Sequence, residues 1–382
     1  MFLCYKNKLS EEELLGRPID YCLEEPFAPV DKMLFRGDNI DVMKFLLQNG
    51  YANKIDLVYI DPPFATNNTF TIDGDRISTI SHGNNGKTAY SDNLTGGEFL
   101  DFLRARLILL RELLSDCGSI YLHIDYKIGH YVKIIMDEIF GIKNFRNDIT
   151  RIKCNPKNFS RSAYGNIKDM ILFYSKSEQP IWNDPREPMD DNDICIRFNK
   201  VDANGNRYTT VPLHAPGETK SGPTGGTWRG MSPPVGRHWR CDPKELDKLD
   251  AAGLIEWSKN GNPRRIIYAE DSISKGKKIQ DVWTFKDSPY PLYPTEKNLD
   301  MLKEIIKASS EENSIVLDCF SGSGTTLVAA EELHRRWIGI DQSEIAISIS
   351  DERLQHHMGL FSQNYKKYIF KKIQKDFIRQ TK

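Results

Sequence analysis

Apolar, β-branched segments that read as strands alternate with amphipathic segments that read as helices, on both sides of a long irregular stretch. Ile55-Asp-Leu-Val-Tyr-Ile60 is the clearest strand, and Asp61-Pro62-Pro63 stops it. Before it the pattern predicts a short strand at 33–36 and a helix at 39–47. After it come helices at 98–114 and 128–140, with a strand at 119–124 between them. Beyond the irregular stretch, helices at 295–308, 325–333 and 344–356 surround strands at 314–317 and 337–340. A strand apolar on both faces needs helices on both sides, and a strand–helix–strand crossover returns the chain parallel. The expected fold is a doubly wound, mostly parallel α/β sheet.

The rest of the chain breaks this rhythm. Residues 65–95 are polar, rich in Asn, Gly, Ser and Thr and without clear periodicity, which reads as a functional loop. Segments 149–153 and 170–174 look like an antiparallel strand pair. From 177 to 280 the sequence is irregular, with Gly, Pro and Trp, and its best helix candidate is 246–251. It reads as an inserted subdomain. The expected division is 1–176, 177–280, 281–360 and a basic helix or tail at 361–382. The net charge of −1 conceals an uneven distribution, for residues 146–286 hold 24 Lys and Arg against 18 Asp and Glu. The tail from 365 to 382 has 7 basic residues against Asp376. Basic segments on an acidic body suit a polyanionic partner, although a solvated surface would carry the same charge. The tail, with Tyr368, Phe370, Ile373 and Phe377 among its lysines, could contact DNA as a helix or pack on the body.

No run approaches 18 apolar residues, and the first residues lack the apolar stretch of a signal peptide. The seven cysteines are scattered and never form a Cys-x-x-Cys pair. This argues against a disulfide framework or a metal site and for a cytoplasmic protein without a membrane partner.

Two segments carry chemistry. Val316-Leu-Asp-Cys-Phe-Ser-Gly-Ser-Gly-Thr-Thr326 follows a strand and opens a helix. Its glycines let backbone approach a ligand, and a helix N-terminus favours a negative group. Asp341 ends the next strand, 17 residues past Gly324, where a carboxylate can accept ribose hydroxyls. Leu327 stands where a dinucleotide fingerprint needs its third glycine, and no Walker lysine follows Gly324. Gly86-Lys87-Thr88 resembles a phosphate loop only until Ser81 is found at the first glycine. A strand-end Asp, a short Gly-Ser-Gly turn and a downstream ribose acid suit S-adenosylmethionine, and a purely structural turn would also use these glycines. The second segment is Asp61-Pro62-Pro63-Phe64. Its prolines remove amide donors and leave a carboxylate, carbonyl acceptors and an aromatic face. An amino group on a planar ring, as in a flipped adenine or cytosine, would find acceptors and a stacking partner there. A proline-stopped strand with a core Phe is the structural alternative.

Together these two segments resemble the catalytic and cofactor motifs of amino-group DNA methyltransferases. Their order, with 61–64 before 318–324 and a basic segment between, resembles the circularly permuted β class, which includes type III modification subunits. Phe35-Arg-Gly-Asp38 with Asn39, Gly118-Ser-Ile-Tyr-Leu-His-Ile-Asp125, Asp137-Glu-Ile-Phe-Gly141, Asn144-Phe145, Tyr293-Pro-Thr-Glu-Lys297 and Arg336-Trp-Ile-Gly-Ile-Asp341 match further stretches of that family. The resemblance covers about 33–176 and 279–350. Phe64 replaces the more usual Tyr, Cys319 a common Pro, and Glu296 and Asn298 the Gln and Pro of the usual Thr-Gln-Lys-Pro. None of these removes a group the chemistry requires.

The resemblance implies a seven-stranded, circularly permuted S-adenosylmethionine-dependent methyltransferase sheet with an inserted target-recognition region. It implies transfer of a methyl group to the N6 amino group of a flipped adenine in double-stranded DNA. A homodimer and a cognate restriction endonuclease are the further partners it suggests. Asp61 and the Pro62 carbonyl would hold the amino group, with Pro63 fixing the turn and Phe64 stacking on the base. Asp318, Phe320, Gly322, Ser323 and Gly324 would take the amino-acid end of the cofactor, Asp341 its ribose and Asp38 its adenine. Thr295 and Lys297 are weaker candidates for its methionine part. The proton lost from the amino group goes to Asp61 or to water, and His123 reads as structural rather than catalytic. In the insertion, Arg229, Arg237, Arg240, Arg264 and Arg265 could read guanine edges or grip phosphates, and Trp239 could wedge or stack. Asp61 in place of Ser leans toward adenine. Methylation of the cytosine N4 amino group, or of RNA or a small molecule, remains the alternative.

Overall fold

The computed structural model describes residues 3–5, 8–63, 69–73, 76–79, 87–91, 96–156, 160, 162–219, 222–287, 296–358 and 365–372. Two compact units divide the chain, one of residues 1–184 with 280–382 and one of residues 185–279.

In the first unit ten strands form one sheet among the described residues. They are β1 (Tyr21–Leu23), β2 (Lys32–Arg36), β3 (Ile55–Ile60), β4 (Leu114–Ile124), β5 (Phe145–Ile152), β6 (Lys168–Ser175), β7 (Val282–Trp283), β8 (Ile315–Asp318), β9 (Arg336–Asp341) and β10 (Lys366–Lys372). Their order across the sheet is β1-β10-β2-β9-β8-β3-β4-β6-β5-β7. Pairing is parallel from β10 through β4, and β6 runs antiparallel to both β4 and β5. The seven strands from β2 to β5 are the expected sheet, and β1, β10 and β7 extend its edges. The permutation is visible in β8, which lies beyond the insertion in sequence yet pairs with β3.

Alternation along the central strands feeds two cores. Val58 and Ile60 face helices α1 (Asn39–Leu46), α2 (Gly96–Leu113) and α3 (Tyr126–Phe140). Leu57 and Tyr59 face α4 (Leu299–Ser309), α5 (Thr325–Glu332) and α6 (Glu344–Met358). A period of two with both faces apolar is what a doubly wound sheet requires. Helix α5 lies close on β9 at Gly339, where a Cβ would stand 2.4 Å from a Leu327 methyl carbon.

Three expectations change. Over 366–372 the tail is not a helix, and its apolar face packs on the body, the second of the two expected readings. It is strand β10, because Tyr368 and Phe370, two residues apart, share one face and both rings pack against Phe35. Residues 177–184 belong to the first unit, where the Ile181 N–H donates to the Cys117 carbonyl and Asn183 Nδ2 to the Lys307 carbonyl. Within the segment expected as a loop, the backbone at Thr69–Asp73, Arg76–Thr79 and Lys87–Ser91 forms an antiparallel three-stranded sheet.

The second unit holds an antiparallel sheet of Lys200–Val201, Arg207–Pro212, Pro263–Tyr268 and Ile255–Trp257. A two-stranded ladder of His214–Pro216 with Arg237–Trp239 and a helix at Pro243–Ala251 complete its small core. That core is Leu213, Trp228, Trp239, Leu246 and Leu249.

Candidate active site

Strands β2, β9, β8 and β3 end side by side. Register sets Arg36 beside Asp341, Asp318 beside Gly339 and Leu317 beside Val58. Asp38, Asp341, Asp318 and Asp61 therefore emerge along one carboxyl edge of the sheet. From β8 the chain crosses to β9 on one side, and from β3 to β4 on the other. The edge between β8 and β3 is thus a topological switch point, the place where open α/β sheets bind ligands.

The glycine turn is built by its own carboxylates. Asp318 Oδ1 accepts from the Phe320 N–H at 2.9 Å, and Oδ2 accepts from Thr326 Oγ1 at 2.6 Å. Asp341 Oδ2 accepts from the Gly322 N–H at 2.9 Å, and Oδ1 from the Ser343 N–H at 2.8 Å. Burial pushes the Asp318 carboxyl up to about 7, against the pull of those two donors, with Asp61 and Asp341 adding to the rise. Burial raises Asp341 as well. Gly324, at φ +75°, precedes α5, and a Cβ there would stand 2.8 Å from Ser350 Oγ, which donates to the Gly322 carbonyl. No side chain among the described residues caps α5, so its first N–H groups face the turn. Ser323 is buried, and its carbonyl and hydroxyl both accept from Arg353 Nη1, at 3.1 and 2.9 Å.

Asp38 caps α1 through the Ile40 N–H at 2.8 Å. Its other oxygen lies 3.7 Å from Arg106 Nη2. Arg106 is buried, donates from Nε to Asn39 Oδ1 at 2.7 Å, and stacks 3.4 Å above the Phe102 ring. Asn39 Nδ2 donates to the Cys319 carbonyl at 2.8 Å. Burial pulls Arg106 down to about 10, opposed by Asp38. This buried guanidinium ties the Asp38 corner to the glycine turn.

At β3, Asp61 Oδ2 is ion-paired with Lys297 Nζ, and the side chains are only 14% and 10% exposed. Asp61 Oδ1 is buried and has no hydrogen-bond partner among the described residues. Lys297, expected on the cofactor's methionine part, is thus brought to the strand-end carboxylate. Pro62 is buried and Pro63 half-buried. Phe64 and Thr295 lie outside the described residues. Below the turn, the Tyr59 hydroxyl lies 3.0 Å from His123 Nδ1, and His123 Nε2 lies 3.1 Å from Asp169 Oδ2.

In the second unit Trp239 is only 1% exposed, its indole N–H donates to the Gly226 carbonyl, and it packs on Trp228. It is a core residue and cannot wedge DNA. Arg229 is ion-paired with Asp250 and lies over the Trp228 ring. Arg264 is half-buried and bonded to Thr210. Arg237, Arg240 and Arg265 are exposed. Arg237 Nη1 reaches His214 Nδ1 at 3.2 Å, and Arg240 Nε donates to the Pro212 carbonyl at 3.0 Å. Burial lowers His214, helped by the positive charge of Arg237, Arg240 and Arg264.

The family described as DNA methylase (N6_N4_Mtase) matches residues 55–352. The chain belongs to that family. The type II methyltransferase M.EcaI of Enterobacter cloacae is 44% identical to this DNA methylase over 358 residues, 90% of this chain and 75% of that one. The StyLTI Mod subunit of a type III restriction-modification enzyme from Salmonella typhimurium is 29% identical, covering 79% of this chain and 50% of its own length. A solved structure described as the M1.HpyAVI-SAM complex is 15% identical, covers 84% of this chain and 98% of that chain, and aligns with a TM-score of 0.45. The methyl donor of the family is S-adenosylmethionine. The residues present suit it. Among the described residues the DNA methylase has an uncapped helix N-terminus that would suit a carboxylate and a buried acid, rising toward neutrality, that would suit an ammonium.

Proposed function

We propose that this DNA methylase modifies the N6 amino group of an adenine taken out of the duplex stack, with Asp61 as the acceptor that holds that group. The observation that carries this reading is the buried Asp61 Oδ1 at the end of β3, which has no hydrogen-bond partner among the described residues. An aromatic amine is a poor nucleophile, because its lone pair is delocalised into the ring. Asp61 Oδ1 and the Pro62 carbonyl accept the two amino hydrogens, draw the nitrogen toward sp³ geometry and stabilise the positive charge that develops on it. Asp61 or water then takes the proton. S-adenosylmethionine, when bound, supplies a methyl carbon made electrophilic by its sulfonium. Asp318 and the Gly322–Gly324 turn hold its amino-acid end, Asp341 its ribose and Asp38 its adenine. Arg237, Arg240 and Arg265 are the DNA contacts we assign to the second unit, as exposed guanidiniums available to phosphate or base edges. The relatives named for type II and type III restriction-modification systems support a cognate endonuclease as partner. Such a chain works in the cytoplasm, beside the DNA it marks.

The test is incubation with methyl-labelled S-adenosylmethionine and mixed-sequence duplex DNA, followed by nucleoside analysis. N6-methyladenine is the expected product. N4-methylcytosine would overturn the base assignment, and label absent from DNA despite cofactor binding would overturn DNA as substrate.

The raised Asp318 carboxyl gives a second expectation. Between about pH 5 and 8 the free protein holds this proton in part, and a cofactor ammonium placed against the carboxylate displaces it. Calorimetric titration with S-adenosylhomocysteine in buffers of different ionisation enthalpy should show proton release that sets in as pH falls through about 7 and is largest below it. Asp318→Asn should abolish the release and weaken binding about tenfold or more. Buffer-independent heats in the parent protein would remove Asp318 from the ammonium site.

A further inference from the structure

Lys297 does not stand alone beside Asp61. The residue before it, Glu296, is ion-paired with Arg353 Nη2 at 3.0 Å, and these side chains are only 13% and 14% exposed. Arg353 projects from α6, and its Nη1 donates to the Ser323 carbonyl, the Ser323 hydroxyl and Thr325 Oγ1 at 3.1, 2.9 and 3.1 Å. The next residue, Asn298, caps α4 through the Met301 N–H at 3.0 Å and donates from Nδ2 to the Lys286 carbonyl at 3.0 Å. One short segment thus carries a cation to the β3 carboxylate and an anion to the arginine that grips the glycine turn. Charges alternate along it, from Asp61 to Lys297, Glu296 and Arg353.

From this arrangement we infer that Lys297, Glu296 and Arg353 form a buried charge strut that positions the catalytic carboxylate against the cofactor turn. The inference rests on Asp61 being the acceptor for the target amino group. Lys297 occupies Oδ2 and fixes the rotamer of Asp61, so that Oδ1 is the oxygen left for the substrate. Glu296 and Arg353 fix where Lys297 sits, and they do so from the turn that holds the cofactor. Lys297, Glu296 and Arg353 are positioning residues, and the strut is a direct mechanical link between the two motifs that the permutation separates in sequence. Charges that act through one contact have a distinctive signature: once either member of the Glu296–Arg353 pair is neutralised, neutralising the other has little of that contact left to remove.

The experiment is a double-mutant cycle on the full chain, with Glu296→Gln, Arg353→Gln and the double variant. It reads single-turnover methyl transfer to DNA, S-adenosylhomocysteine affinity by equilibrium titration, and the melting temperature. Each single variant should lose at least tenfold in transfer rate, and the double variant should lose about as much as the worse single variant, well short of the product of the two losses. Arg353→Gln should also weaken S-adenosylhomocysteine severalfold, because the Ser323 and Thr325 contacts go with it. Lys297→Met should slow transfer at least tenfold with cofactor affinity unchanged, and Lys297→Arg should restore part of that loss. If any variant melts below the assay temperature, transfer is read at a temperature where circular dichroism matches the parent protein. Additive losses across the cycle, or single variants that transfer as fast as the parent, overturn the strut. An Asp61→Asn control that still transfers at the parent rate would instead overturn the catalytic reading beneath it.

Discussion

Asp61→Asn is expected to slow methyl transfer about a thousandfold, close to 4 kcal/mol of transition-state stabilisation, with cofactor and DNA affinity within a few-fold of the parent protein. Asparagine keeps the shape of the side chain and one acceptor oxygen. It loses the charge that faces the nitrogen as that nitrogen becomes cationic, and charged acceptors are the strong ones. It also removes the carboxylate charge paired with Lys297, which is only 10% exposed, so that the ammonium stands beside the reacting amine with that negative charge gone. Like charge at that position opposes the cation that the reaction must form. Among the described residues no hydrogen bond joins Asp61 to the glycine turn or its carboxylates, and its charge only adds to the rise of Asp318, so equilibrium titration with S-adenosylhomocysteine should change by no more than a few-fold. Single-turnover transfer to a duplex checks the rate. A variant within tenfold of the parent would show that another group holds the amino nitrogen.

Seven of the ten strands, the mostly parallel sheet and the two motif turns were legible because each rests on local chemistry. β-branched runs stop at Asp-Pro-Pro or at Gly-Ser-Gly, and both turns lie at strand ends where the sheet must place them. What stayed hidden depends on contacts between distant residues. Arg106 reads as one more charge on a helix, yet the fold buries it between Asp38, Asn39 and Phe102. An arginine amid the leucines of 103–110 was the available signal. Arg353 reads as the solvated end of a helix, and only the tertiary approach of α6 to the glycine turn brings it to Ser323. Trp239 misled for the opposite reason. An indole flanked by His238 and Arg240 suggests a nucleic-acid surface, but alternation on a two-residue period turns the ring inward while its neighbours point out. The same alternation, in Tyr368 and Phe370, makes a sheet strand, packed on the body, of a segment that could also have been a DNA-contacting helix.

Asp169→Ala is expected to cost about 3–5 kcal/mol of stability, since it breaks a buried charge cluster from one side. Asp169 is 3% exposed and receives His123 Nε2 at 3.1 Å and Lys153 Nζ at 2.6 Å, with Arg151 Nη1 at 3.6 Å. Arg151 is 1% exposed, and after the substitution its charge keeps, among the described residues, Asp287 and the Phe285 carbonyl. Burial raises the Asp169 carboxyl, but the bonds from His123 and Lys153 outweigh it and hold the group below the usual carboxylate range. A depressed carboxylate contributes stability that is complete above its unfolded value, about 4, and drains away as pH falls below that. The gap in unfolding free energy between parent and variant should therefore be widest near neutral pH and shrink below about pH 4. Denaturant melts across that range measure it, and a gap that stays constant would remove the ionised carboxylate from the account. His123 adds acid sensitivity at higher pH. Burial lowers it, so the unfolded chain takes up a proton near pH 6.5 that the folded ring refuses. With Asp169 ionised, Nε2 donates to the carboxylate and Nδ1 accepts the Tyr59 hydroxyl, two residues before Asp61. The cluster is thus a rigid floor for the catalytic turn. His123→Gln should lower the melting temperature while leaving transfer within tenfold at a temperature where the variant is folded. Transfer lost without any loss of stability would make His123 a base in the reaction rather than part of the floor.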